Sequence, residues 1–150
     1  MKTFAVILAR GGSKGIPKKN IMKILGKPLI KWSIEQALNS SVIEDVYVSS
    51  DDSEILECAE ESGAIALTRP AELSGDQSTS EAGWLDVLSR LHPRHLGNEF
   101  FFALQATSPV RDAFDFDLLK TSDNSFAAVD KRKVLKSDST VATLILFSFC

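Results

Sequence analysis

The chain has 150 residues, a length suited to one domain, with the composition of an ordinary globular protein, 44% hydrophobic and 25% charged. No stretch reaches the roughly 18 consecutive apolar residues of a membrane span. With a net charge of −3, neither a membrane nor nucleic acid is an expected partner. Two cysteines, Cys58 and Cys150, make no disulfide framework, and Met1-Lys2-Thr3 runs into a strand without a signal peptide, so a cytoplasmic location is expected.

The charge is segregated. From Met1 to Ile34 there are eight Lys or Arg and no acid, whereas Glu35 to Cys150 carries nine bases and 20 acids. A basic patch on a mildly acidic chain favours a polyanion. The first predicted element is a buried strand, Phe4-Ala5-Val6-Ile7-Leu8, with the β-branching and length of one. It feeds the loop Ala9-Arg10-Gly11-Gly12-Ser13-Lys14-Gly15-Ile16-Pro17-Lys18-Lys19-Asn20. A strand followed by a glycine-rich basic loop presents backbone N–H groups and cations to phosphates. The P-loop pattern is excluded: Gly26-Lys27 is followed by Pro28, and Ile21 stands where its first glycine belongs. The dinucleotide fingerprint is excluded by Arg10, since Gly12 and Gly15 alone fit its spacing. Arg10 is a donor fork suited to phosphate, and Lys14, Lys18 and Lys19 add point charges. The competing reading of this segment is a solvated basic loop with turn glycines.

Gly26-Lys27-Pro28 punctuates the chain, and Pro28 suits the first turn of a helix whose buried stripe is Ile30, Ile34, Ala37 and Leu38. Trp32 lies off that stripe and reads as packing. Asp45–Ser49 is a second strand. Asp51 with Glu54 resembles a capping box opening a helix to about Ser62, with Ile55, Leu56 and Ala59 inward. Asp51 and Asp52 are also paired carboxylates after a strand, which suits a metal, but a cap explains their position without a ligand. Gly63 ends this helix and Ala64–Leu67 is a short strand. A hydroxyl-rich loop, Thr68–Ser80, precedes a helix from about Thr79 to Leu91 with Leu85, Leu88 and Leu91 on its buried side. Ser78 and Ser80 are candidate caps for it, a role compatible with ligand binding. His92 and His95 lack partners at metal-ligand spacing and read as a surface loop. Phe100–Leu104 is a buried strand ending on Gln105, which can donate to and accept from a base or sugar. Arg111 either pairs with an acid such as Asp112 or faces ligand. A helix over about 112–121 and a strand over 125–129 complete the pattern, and Thr140–Cys150 is an apolar run, a strand or an unnatural end that is an aggregation hazard if nothing covers it. Alternating strands and helices predict an α/β fold of Rossmann-like, three-layer type, an open and mostly parallel sheet with helices on both faces.

Three stretches carry a resemblance. Leu8 through Asn20 resembles the N-terminal signature of the acylneuraminate cytidylyltransferases, the CMP-sialic acid synthetases. Arg69-Pro70-Ala71-Glu72-Leu73, with the Asp76-x-x-x-Ser80 spacing, is similar to the family's second motif, and Gln105-Ala106-Thr107-Ser108-Pro109-Val110-Arg111 to its third, with Ala106 for a proline and Val110 for a leucine. The resemblance implies a nucleotide-diphospho-sugar transferase fold and transfer of CMP from CTP to the anomeric hydroxyl of an acidic nine-carbon sugar. Pyrophosphate would be released with Mg²⁺ as cofactor, in a homodimer. Carried over by position, Arg10 and Lys14 act on the α-phosphate. Lys19 joins them in holding the triphosphate, Asn20, Arg69, Ser78, Ser80 and Gln105 surround cytosine and ribose, and Leu8, Ala9, Gly11 and Gly12 are further nucleotide-binding positions.

The resemblance covers about residues 1–130, giving an incomplete CTP-binding domain at 1–130 and a divergent tail at 131–150. The family's sugar-facing segment, dimer-interface residues and late metal-holding aspartates have no match here. Two alternatives follow from the residues. One is a cytidylyltransferase for a related sugar, legionaminic, pseudaminic or KDO, although the Gly-Gly-Ser-Lys-Gly run argues against KDO. The other is a non-catalytic nucleotide-binding or interaction module.

Overall fold

A computed structural model describes residues 3–91, 100–107 and 145–148. The expectations for His92 and His95, for Arg111, for the helix over 112–121 and for the strand over 125–129 fall outside these residues. Among the described residues the main sheet has five strands: β1 (Thr3–Leu8), β4 (Ile43–Ser50), β5 (Ile65–Thr68), β6 (Phe100–Gln105) and β7 (Ile145–Ser148). Their order is β5-β4-β1-β6-β7, with every pairing parallel except β6 with β7. The late apolar run thus contributes an antiparallel edge strand to the sheet. A small hairpin, β2 (Lys23–Ile24) with β3 (Lys27–Pro28), was not foreseen in the sequence; it precedes helix α1 (Leu29–Leu38). Helices α2 (Ser53–Glu61) and α3 (Ser80–Leu91) follow β4 and β5.

Strand periodicity sorts β1 onto two faces. Ala5, Ile7 and Ala9 face α1 and α2, meeting Ile30, Ile34, Ala37, Ile55 and Ala59 in one core. Phe4 and Val6 face α3, meeting Trp84, Val87 and Leu91 in the other. This is the expected three-layer arrangement. Burial of each Ile, Val or Phe contributes about 1.5–3 kcal/mol, and β1 is covered on both faces. On the α3 side the Phe4 ring stacks on Phe101 at 5.5 Å and meets Tyr47 edge-on at 5.9 Å, tying β1 to both neighbours.

Three helical assignments differ from expectation. In α3 the buried stripe is Trp84, Val87 and Leu91, while Leu85 is 66% exposed and Leu88 only partly buried. The leucine stripe and the tryptophan stripe lie one residue apart, and the larger ring takes the core. In α1, Leu38 lies at the exposed end. The N-cap of α2 is Asp52, whose Oδ1 accepts from the Glu54 and Ile55 N–H groups at 2.8 and 3.3 Å; Asp51 is engaged elsewhere. Helix α2 closes in a Schellman turn, with the Ala64 N–H donating to the Ala59 carbonyl and the Gly63 N–H to that of Glu60. Gly63, at φ +89°, takes the left-handed position this turn requires. Trp32 packs as read: its Nε1 donates to the Ile24 carbonyl at 3.2 Å and the Lys27 ammonium sits 4.3 Å from the ring centroid, fastening the hairpin to α1. Among the described residues no helix is long and apolar enough to cross a membrane.

Candidate functional site

The chain runs outward from β1 to β4 and β5, then returns to place β6 on the other side of β1. Such a reversal leaves a crevice beyond the carboxyl ends of the two diverging strands, the usual ligand position in open α/β sheets. Here that crevice is a cavity of about 620 Å³. Arg10, Lys14, Lys19 and Asn20 line it from the loop after β1, Arg69, Ser78 and Ser80 from the segment after β5, and Gln105 from the end of β6. Leu8 lines it as well, whereas Ala9, Gly11 and Gly12 do not. Ala9 belongs to the core, with its N–H donating to the Ser49 carbonyl at 3.0 Å.

The basic loop is pinned rather than draped. The Gly11 N–H donates to Asp51 Oδ1 at 3.0 Å, which is where the expected capping carboxylate has gone. Gly11 also lies so close to Asp52 that a Cβ there would stand 2.6 Å from Oδ2 and 2.7 Å from the aspartate Cβ. Lys18 is ion-paired with Glu54 at the start of α2, a bond that raises the ammonium's pKa. Asn20 is buried and its Nδ2 donates to the Arg10 carbonyl at 2.9 Å, so this side chain sets the path of the loop as well as lining the cavity.

On the opposite wall Arg69 is only 7% exposed. Its Nε donates to Ser49 Oγ at 3.1 Å and its Nη2 to the Ser49 carbonyl at 2.5 Å. Burial lowers the guanidinium's pKa from its ordinary value, while the Asp51 and Asp86 carboxylates oppose that shift. Ser78 Oγ donates to the Glu72 carbonyl at 2.9 Å, and the cap of α3 is Thr79, whose Oγ1 accepts from the Ala82 N–H at 3.2 Å. Neither Ser78 nor Ser80 is therefore the cap. Sequence reasoning gave no role to Asp76, although it opens the Asp-x-x-x-Ser spacing. It lines the cavity and bridges Arg10 Nη1 at 3.1 Å and Lys14 Nζ at 3.0 Å, and these cations lower its pKa below the ordinary value, Lys14 first.

The described residues do not by themselves supply an all-protein Mg²⁺ cage. Among them no three His, Cys, Asp or Glu side chains converge on a point. The carboxylates nearest the cavity are already committed: Asp51 to the Gly11 N–H, Asp52 to the start of α2 and Asp76 to two cations. What the site offers chemically is a set of fixed cations and hydroxyls facing an open crevice.

Comparison with known proteins agrees with this geometry. A family model described as Cytidylyltransferase matches residues 4–113. The chain is 42% identical over 127 residues to a pseudaminic acid cytidylyltransferase of Campylobacter jejuni, spanning 84% of this chain and 53% of that protein. It is 45% identical over 105 residues to N-acylneuraminate cytidylyltransferase A of Danio rerio, spanning 70% of this chain and 24% of that one. Among solved structures, a CMP:2-keto-3-deoxy-manno-octonic acid synthetase complexed with CTP superposes with a TM-score of 0.67 at 25% identity, covering 80% of this chain and 46% of that chain. The chain spans about half the length, or less, of the curated relatives it matches. With a parallel sheet reversing at β1, a cation-lined crevice at that reversal and a family match over residues 4–113, this chain belongs to the cytidylyltransferase family.

Proposed function

We propose that the cavity takes the triphosphate of CTP, and that the whole protein transfers CMP to the anomeric hydroxyl of an acidic nine-carbon sugar of the pseudaminic acid type. The observation that carries this reading is the convergence of Arg10, Lys14 and Lys19 on one crevice beyond β1 and β6. In the transfer, the sugar hydroxyl attacks the α-phosphate and gives up its proton to water, a new P–O bond forms, and the P–O bond to the departing pyrophosphate breaks. Such a reaction needs positioning and charge stabilisation more than covalent help from protein. Arg10 and Lys14 supply positive charge at the α-phosphate and Lys19 at the phosphate tail. Asn20, Arg69, Ser78, Ser80 and Gln105 surround the nucleoside, with Arg69 held in place by Ser49.

The choice of sugar is supported by the name of the Campylobacter jejuni relative, and sialic acid, named by the Danio rerio relative, is the second reading. Mg²⁺, a homodimeric state and a cytoplasmic location belong to the same proposal, with no Mg²⁺ ligand set assigned. The test is titration of CTP into the chain, then measurement of pyrophosphate release with CTP, Mg²⁺ and either pseudaminic acid or N-acetylneuraminic acid. CTP binding with release on pseudaminic acid is expected. Release on N-acetylneuraminic acid alone favours the second reading. Binding without release on either favours a non-catalytic nucleotide-binding module, and absence of CTP binding refutes the proposal.

A further inference from the structure

Asp76 is an anion already seated among the cations of the cavity. Its two carboxylate oxygens serve different partners, Oδ1 reaching Arg10 Nη1 at 3.1 Å and Oδ2 reaching Lys14 Nζ at 3.0 Å. The partners stand on opposite walls. Arg10 and Lys14 belong to the loop after β1, while Asp76 lies in the turn between β5 and α3. That turn is closed by the Ser78 N–H donating to the Gly75 carbonyl at 3.0 Å and braced by Ser78 Oγ on the Glu72 carbonyl. The carboxylate is presented on a built support, and its bridge spans the crevice. Yet the pairs are wet: the Asp76 and Lys14 side chains are 48% and 74% exposed. Exposed ion pairs are weak and exchange readily.

We propose that Asp76 is a resident counter-ion for the polyphosphate site, a latch across the crevice that the phosphate tail displaces from Arg10 and Lys14 when it binds. This inference rests on the reading of the cavity as a polyphosphate site. Both cations donate to Asp76, so an entering phosphate oxygen that takes the same N–H groups must break the bridge. The apparent affinity is then the intrinsic affinity reduced by the fraction of molecules with the latch open. The lowered pKa of Asp76 agrees with a carboxylate that is ionised at neutral pH. In this arrangement the latch balances two like charges on the loop and occupies donors that line the crevice. Asp76 is thus a positioning residue whose removal strengthens anion binding, the opposite sign from removal of a contact residue.

The experiment is titration of inorganic tripolyphosphate, with CTP as competitor, into the unmodified chain and into Asp76→Asn, Asp76→Ser and Asp76→Glu. Asparagine and serine remove the charge at an exposed position, and glutamate restores it. Opening two exposed pairs predicts a roughly 2- to 30-fold gain in tripolyphosphate affinity for the asparagine and serine variants. The glutamate variant should stay within about twofold of the unmodified chain, inside the scatter of an exposed pair. Unchanged or weaker binding by the uncharged variants, or no tripolyphosphate binding by any chain, overturns the latch. If the gain is present but CTP fails to compete, the latch stands and the CTP reading falls.

Discussion

The close approach of Gly11 to Asp52 joins the basic loop to the start of α2, and it gives a sharp prediction. In Gly11→Ala the new methyl would stand 2.6 Å from Asp52 Oδ2 and 2.7 Å from its Cβ, well inside any real contact. Asp52 cannot yield cheaply, because its Oδ1 caps α2 through the Glu54 and Ile55 N–H groups. Overpacking costs about 1–3 kcal/mol and a lost cap about 1 kcal/mol, offset by about 0.4–1 kcal/mol from a stiffer unfolded chain. The net expectation is a destabilisation of about 2 kcal/mol, which lowers Tm by roughly 4–8 °C for a chain of this size. Thermal unfolding of purified protein measures it. Gly12→Ala is the control, since nothing lies within 4 Å of a Cβ there, and it should fall within about 0.5 kcal/mol of the unmodified chain. The decisive comparison is Gly11→Ala combined with Asp52→Gly. The second change removes all three atoms nearest the new methyl, and glycine at an N-cap costs only a few tenths of a kcal/mol. The double variant should therefore be more stable than Gly11→Ala alone, with a coupling energy of about 1–2 kcal/mol. Additive losses, or a Gly11→Ala protein as stable as the parent, would refute this account of the loop.

Two further outcomes follow from the cations of the site. Arg10→Ala should weaken CTP binding roughly 10- to 150-fold, the value of about 1.5–3 kcal/mol for a charge-assisted contact, and equal affinities by isothermal titration would remove Arg10 from the phosphate site. The Asp76 carboxyl, followed by carbon-13 NMR, should titrate below the ordinary aspartate value, because Lys14 and Arg10 favour its charged form. Since its folded pKa is depressed, its contribution to stability is complete above the unfolded value and is lost as pH falls through the folded one. Asp76→Asn should accordingly show a shallower loss of stability in acid, and an Asp76 midpoint at or above the ordinary aspartate value would deny the bridge.

The architecture was legible because its signals are local. An apolar β-branched run before a glycine-rich loop, and strands alternating with helices, suffice to predict a parallel sheet covered on both faces. The crevice residues were legible for a different reason, since three separate motifs name side chains that only the strand order brings together. What was misread depends on distant partners. Asp51, three residues before Glu54, reads as the cap of α2, but the Gly11 N–H, 40 positions away, takes Asp51 and the cap falls to Asp52. The face of α3 could not be settled by counting leucines, because Trp84 fills the core one step round the helix and turns Leu85 to solvent. Asp76 was passed over because a site read for its cations gives no reason to look for a carboxylate among them.

The position of β1 has a consequence for how the polypeptide acquires its shape during synthesis. β1 lies between β4, at residues 43–50, and β6, at residues 100–105, and is made before either of them. Residue 4 pairs with residue 101, so the second neighbour of β1 is not available until roughly a hundred further residues have left the ribosome. Such distant parallel pairing forms slowly, and the Thr3–Leu8 segment stays open to wrong partners in the interval. The strand enclosed by β4 and β6 in the finished sheet therefore keeps one open edge while the molecule is being made.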